Sequence, residues 1–143
     1  MSGISKALLS RRAVIAVLSL FVLLGGPWHP HAAAQPATVR LVIDYGDGVT
    51  KTIAGLAWRK GMTVFDAMNA AKTHPHGITF SYRGSGTTAF LMQIDDVKSQ
   101  GGGAGKKNWQ LWVNTHYADR GFATSPVQAL DVIFWRYTTA QRK

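Results

Sequence analysis

The side chains that could do chemistry are few. Beyond residue 34 the chain carries three histidines (His74, His76 and His116), seven aspartates, no glutamate and no cysteine. His74-Pro75-His76 brings two imidazoles together, but the spacing suits no standard zinc set and neither Cys nor Glu completes it. That tripeptide reads as a turn. Ser85 lies between Gly84 and Gly86 without the Gly-x-Ser-x-Gly elbow of a nucleophilic serine, so it too reads as a turn residue. Gly101–Lys107 is rich in glycine and ends on two lysines, the raw material of a phosphate cradle. Its spacing is not that of a phosphate loop, and Lys106 is followed by Lys107 instead of Ser or Thr. The stretch reads as a flexible connector. Asp95-Asp96 offers two carboxylates where a calcium ion wants six to eight oxygens, and a turn is the simpler reading. The expectation is a protein that is not an enzyme.

The aromatic residues are more informative. Asn108–Asn114 reads Asn-Trp-Gln-Leu-Trp-Val-Asn, a short strand pattern with two tryptophans three residues apart. Alternation puts Trp109, Leu111 and Val113 on one face and Gln110 and Trp112 on the other. In the last strand Ile133, Trp135 and Tyr137 share a face, opposite Val132, Phe134 and Arg136. Trp58, Trp109 and Trp135 are assigned to the core. If the two strands are neighbours, Trp112, Phe134 and Gln110 form an apolar patch with an orienting amide, the usual mark of a binding surface. The alternative is that the 97–107 loop covers this patch.

These strands need a scaffold. Val39, Leu41, Ile43 and Tyr45 alternate as a half-buried strand, and Gly46-Asp47-Gly48 supplies a tight turn into a second strand over Val49–Trp58, whose faces are blurred by Gly55. Thr63–Thr73 is the one helix the pattern supports. Thr63 caps it, Asp66 answers three residues on, and Val64, Met68 and Ala71 recur at helical spacing. Pro75 and Gly77 end it. Ile78–Arg83 and Thr87–Ile94 read as strands, with turns at Gly84-Ser85-Gly86 and Asp95-Asp96. Val97–Lys107 is a loop, and Asn114–Pro126 holds turns and short extended pieces. A hairpin, one helix and further strands predict an α+β fold with the helix laid across a sheet.

The first 34 residues read as a signal peptide. Lys6, Arg11 and Arg12 precede the apolar run Ala13–Leu24, and Ala32-Ala33-Ala34 is a small-residue cleavage site. The run is about 12 residues, short of the roughly 20 that a membrane-spanning helix needs. Ser10-Arg11-Arg12 leaves ordinary and twin-arginine export both open. The expected product is periplasmic or extracellular, with no stable membrane span after cleavage and, lacking cysteine, no disulfide. Removing three of the 16 Lys/Arg leaves 13 against seven Asp, a net +6. Those cations are scattered instead of forming a stripe, which argues against nucleic acid as a partner.

The order and spacing of these marks resemble a known family. Leu41–Gly46, Gly61–Met68, Gly84-Ser85-Gly86, Ile94-Asp95-Asp96, Trp109–Asn114 and Asp131–Tyr137 together resemble the small C-terminal domain of the transcobalamin and intrinsic-factor proteins, and related secreted bacterial domains of unknown function. The resemblance covers nearly all of residues 38–140. It implies a β-grasp-like mixed sheet with one packed helix. It also implies a cobalamin-like corrinoid as ligand, with the Trp109-Gln110 pair in the ligand-facing region. Two positions depart from the family pattern: Thr115 and Leu130 stand where the family usually has Gly.

Two functions follow as expectations. The first is an exported, non-enzymatic module for a small ligand such as a corrinoid, contacted by Gln110, Trp112, Phe134 and Trp109. The second is an envelope module that docks a protein partner through the same aromatic face.

Overall fold

A computed structural model of the chain describes residues 35–139. The expected signal peptide, its cleavage site and the last residue of the 38–140 domain lie outside the described residues.

Strand β1 (Thr38–Asp44) buries Val39, Leu41 and Ile43 and turns Arg40, Val42 and Asp44 the other way. The turn at Gly46-Asp47-Gly48 uses two positive φ angles, 73° and 94°, that glycine adopts freely. It leads into β2 (Thr50–Ala57), antiparallel to β1. Pairing jumps from Val39↔Leu56 to Leu41↔Ile53, so Ala54 and Gly55 together face Arg40. This bulge, with Gly55 at φ 73°, lets Ile53 and Leu56 both reach the core although they are three residues apart.

Helix α1 (Val64–Lys72) lies within the predicted span, flanked by its caps Thr63 and Thr73. Both arms of the capping box form: the Asp66 backbone N–H donates to Thr63 Oγ1 at 3.3 Å, and the Thr63 N–H donates to Asp66 Oδ2 at 2.9 Å. The bond from the Thr63 backbone outweighs partial burial and holds the Asp66 carboxyl below its ordinary range, helped by Arg59 at 3.0 Å. Val64, Ala67, Met68 and Ala71 form the buried stripe, which packs over β1 and β2.

A small antiparallel sheet follows, ordered β3-β4-β5 from β3 (Phe80–Arg83), β4 (Phe90–Ile94) and β5 (Val97–Lys98). Both expected strands here are shorter than predicted. Ile78 is a buried anchor ahead of β3, and Gly86–Thr88 is a 3-10 turn that delays β4. Residues 97–107 are not all loop, because Val97 and Lys98 pair with Ile94 and Gln93. The chain then forms β6 (Asn108–Val113), β7 (His116–Tyr117) and β8 (Val132–Thr138). These join the first hairpin in a five-stranded sheet of order β2-β1-β8-β6-β7. β8 runs parallel to β1, and β6 runs antiparallel to β8 and β7. Among the described residues the fold is α+β, a β-grasp-like mixed sheet with one packed helix, as expected.

Two turns carry Thr115 and Leu130. Between β6 and β7 only Asn114 takes a positive φ, 55°, so Thr115 is unstrained. Asn114 is further tied to the start of β8: its Nδ2 donates to Asp131 Oδ1 at 2.9 Å and its Oδ1 accepts from the Val132 N–H at 2.9 Å. Leu130 has no such relief. It sits at φ 72° with its side chain 81% exposed. Left-handed backbone costs a non-glycine residue about 1–2 kcal/mol, and an exposed leucine regains little by packing. Leu130→Gly is therefore expected to raise stability by about 0.5–1 kcal/mol after the extra chain entropy of glycine is counted. Urea denaturation checks this, and a loss of stability would mean that the Leu130 side chain makes a contact its exposure hides.

Candidate ligand-binding faces

The five-stranded sheet has two faces with different jobs. Its inner face carries Val39, Leu41, Ile43, Trp109, Leu111, Ile133 and Trp135, all buried under α1 and the small sheet. The outer face is where the expected patch lies. Trp112 pairs directly with Phe134 on one side and with Tyr117 on the other. Their rings touch, with centroids 5.8 Å apart for Trp112–Phe134 and 5.3 Å for an edge-on Trp112–Tyr117 contact. Val42 stands beside Phe134 in the parallel register and extends the row onto β1. A polar row flanks it two residues along each strand, about 6.7 Å away. There Gln110 faces Arg136, and Arg136 Nε meets Asp44 Oδ2 at 3.1 Å. Trp112, Phe134, Tyr117, Val42 and Gln110 are all half-buried.

Of the four residues assigned from sequence, Gln110, Trp112 and Phe134 come together on this face. Trp109 does not join them. It is 4% exposed on the inner face, its Nε1 donates to the Val97 carbonyl at 3.0 Å, and its ring contacts Tyr45 and Tyr137. Strand parity separates it from Trp112, so the four cannot contact one ligand on one surface. Residues 97–101 are held at the first two positions of β6 and near the end of β8: Val97 and Ser99 accept from Trp109, Gly101 exchanges bonds with the Asn108 side chain, and Lys98 accepts from Tyr137.

The inner side has an opening of its own. A cleft of about 300 Å³ lies between β4, β6 and the segment Ala118–Phe122, and Trp109, Leu111, Phe122 and Trp135 are in its lining. Gly121 brings that segment against the 3-10 turn: its N–H donates to the Thr87 carbonyl, and a Cβ there would stand 2.5 Å from the same oxygen.

Asp95 and His74, two of the groups weighed for chemistry in the sequence, are engaged in structure. Asp95, at φ 47° in the β4–β5 turn, accepts from Tyr45 Oη at 2.5 Å, Lys51 Nζ at 2.9 Å and the Thr79 N–H at 2.8 Å. Burial alone would raise its carboxyl. The bonds from Tyr45, Lys51 and Thr79 and the Lys51 charge outweigh that and hold it below its ordinary range. Burial first, then the bond to Asp95, pushes the Tyr45 hydroxyl far above its usual range. A protonated tyrosine and an ionised aspartate locked together tie the first hairpin to the small sheet. His74 Nδ1 accepts from the His76 backbone N–H at 3.2 Å, a turn contact. Among the described residues no three His, Cys, Asp or Glu cluster as metal ligands.

No family model and no curated protein matches the sequence. Solved structures do match. One is a protein from Ruminococcus gnavus ATCC 29149 described as a metal-binding candidate, with a TM-score of 0.58 and 8% identity over 73% of this chain and 99% of that one. Another is haptocorrin in complex with Cbi, also with a TM-score of 0.58, at 14% identity over 71% of this chain. The likeness is one of fold. It spans 25% of the haptocorrin chain, and no sequence-family match accompanies it.

Sequence reasoning missed Tyr117, which lay within Asn114–Pro126, read only as turns and short extended pieces. A signal was present: Asn114-Thr115 is a two-residue hairpin loop, and continuing the pairing past it sets Tyr117 opposite Trp112.

Proposed function

We propose that this chain is an exported, non-enzymatic module that binds a small ligand on the outer face of its five-stranded sheet. The observation that carries this reading is the row Tyr117–Trp112–Phe134, three aromatic rings in contact across three neighbouring strands with the Gln110–Arg136–Asp44 row beside it. Aromatic faces suit a broad, flat ligand, and the amide and guanidinium suit oxygen and nitrogen groups on its rim. A corrinoid is such a molecule, an apolar macrocycle edged with amides. The fold shared with haptocorrin in its Cbi complex supports the choice.

Trp112→Ala is expected to abolish cobalamin binding, followed as a shift in visible absorbance, while lowering stability by less than about 1 kcal/mol because the indole lies on the outer face and is only partly buried. Undiminished cobalamin binding by this variant would overturn the reading. A second reading places an envelope protein on the same face. It is favoured by the residue types present, since Trp112, Tyr117 and Arg136 belong to the classes that anchor protein interfaces. It predicts no absorbance change with cobalamin and loss of a co-purifying partner in Trp112→Ala.

A further inference from the structure

An unpaired strand edge is a template for another chain, and proteins blunt it with bulges, charge or brevity. Strands β5 and β7 have only two residues each, and β2 is kinked by the Ala54–Gly55 bulge. β3 is the least protected edge. It pairs with β4 alone, and the register jump beside Ser81 places the extra residue, Met92, in β4. β3 is also unfinished as a packed strand. Ser81, Tyr82 and Arg83 are exposed and Phe80 is half-buried. Among the described residues it is the one strand of more than two residues in which nothing is buried.

Its alternate side chains are nevertheless aromatic. Tyr82 is 44% exposed, and its ring touches Phe65 of α1 at 5.3 Å, Phe122 at 5.7 Å and Phe80 at 6.2 Å. The charges beside these rings are positive. Lys72, in the last turn of α1, stands 4.2 Å over the Phe80 ring, and Arg83 leans over Phe90 of β4 at 5.3 Å. Among the described residues no carboxylate pairs with either cation. The acids nearest Phe65 and Phe122 along the chain, Asp66 and Asp119, face Arg59 at 3.0 Å and Arg120 at 3.5 Å. Asp95, bonded to Thr79 just ahead of β3, is held by Lys51.

We propose that β3 takes an added strand from an acidic, extended peptide segment of a partner protein. The peptide pairs its backbone with the open edge, sets an apolar side chain against Tyr82 and brings a carboxylate to Lys72. A second copy of this chain is the poorer occupant. Antiparallel self-pairing across Ser81 and Tyr82 sets Arg83 of each copy opposite Phe80 of the other, whose ring carries Lys72, cation against cation. This surface shares no residue with the outer-face row and does not depend on that reading.

The test uses acetyl-Thr-Glu-Val-Thr-Glu-Val-amide as probe. Set antiparallel to β3, it places its glutamates opposite Arg83 and Phe80 and a valine opposite Tyr82. One control carries Gln for both Glu. The other is N-methylated at the central Val and Thr; their N–H groups point to opposite edges, so one methyl blocks whichever edge meets β3. Binding is read from backbone amide signals in ¹H–¹⁵N spectra of the ¹⁵N-labelled protein. The glutamate peptide at millimolar concentration should shift the Phe80–Arg83 signals saturably. The glutamine peptide should bind roughly twofold to fivefold more weakly, the worth of an exposed ion pair, and Lys72→Gln should remove most of that difference. Tyr82→Ser should weaken both peptides by about threefold or more through lost apolar contact, and Trp112→Ala should leave the titration unchanged. If Tyr82→Ser does not fold, the comparison of the three peptides on the unaltered protein decides alone. No saturable shift, undiminished binding of the N-methylated peptide, or equal affinity for the glutamate and glutamine peptides overturns the proposal. So does a dimer whose formation moves the same signals without peptide.

Discussion

Trp109→Ala is expected to lower the stability of the domain by about 3–5 kcal/mol, as truncation of a buried tryptophan does. The indole is 4% exposed and joins parts of the fold that sequence keeps far apart. Its ring meets Tyr45 at the end of β1 and Tyr137 in β8, at 5.8 and 5.3 Å. Its Nε1 holds the Val97 carbonyl of β5, and its backbone N–H donates to Ser99 Oγ at 3.3 Å. Alanine there removes the apolar area, leaves a cavity between the two sheets and frees a carbonyl at the β5 edge. Tyr137 Oη still donates to the Lys98 carbonyl at 2.8 Å and Asp95 still accepts from Tyr45 and Lys51, so the small sheet keeps its other tethers and the domain is weakened instead of dismantled. Urea denaturation of both tryptophan variants gives the decisive comparison. A loss below about 1 kcal/mol for Trp109→Ala, or a greater loss for Trp112→Ala, would mean that the sheet faces are assigned the wrong way round.

That contrast was legible because strand parity is a local rule. Trp109 and Trp112 differ by an odd number of residues, and no bulge interrupts β6, so they must face opposite ways. Helix α1 was legible for a similar reason, since its capping box and apolar spacing lie within one short window. What was not legible depends on partners distant in sequence. Asp95 reads as half of a turn, yet its partners Tyr45 and Lys51 are 50 and 44 residues away. Gly55 blurred the alternation of β2 because the bulge it makes is defined only against β1. That Trp135 Nε1 is buried without a hydrogen-bond partner among the described residues is equally invisible from its neighbours, because it depends on what two other strands and the Phe122 segment bring near it.

The helix supplies the other large effect. Met68→Ala is expected to cost about 2–5 kcal/mol. Met68 is wholly buried at the middle of α1, and its buried neighbours on the same stripe, Ala67 and Ala71, are small. Two alanines let the helix axis approach the sheet closely, and one long flexible side chain then fills the space between them. Removing it leaves a void that a methyl group on either side cannot occupy. The strands beneath the helix, β1 with Leu41 and Ile43 and β2 with Ile53, are paired with each other and cannot collapse inward. The loss should therefore fall in the upper part of the range. Met68→Leu nearly conserves volume and should cost less than about 1.5 kcal/mol. Equilibrium denaturation of both variants separates packing from helix propensity, since alanine is the better helix former and would stabilise an unpacked helix. A change below about 0.5 kcal/mol in Met68→Ala would show that α1 does not rest on the sheet through this residue.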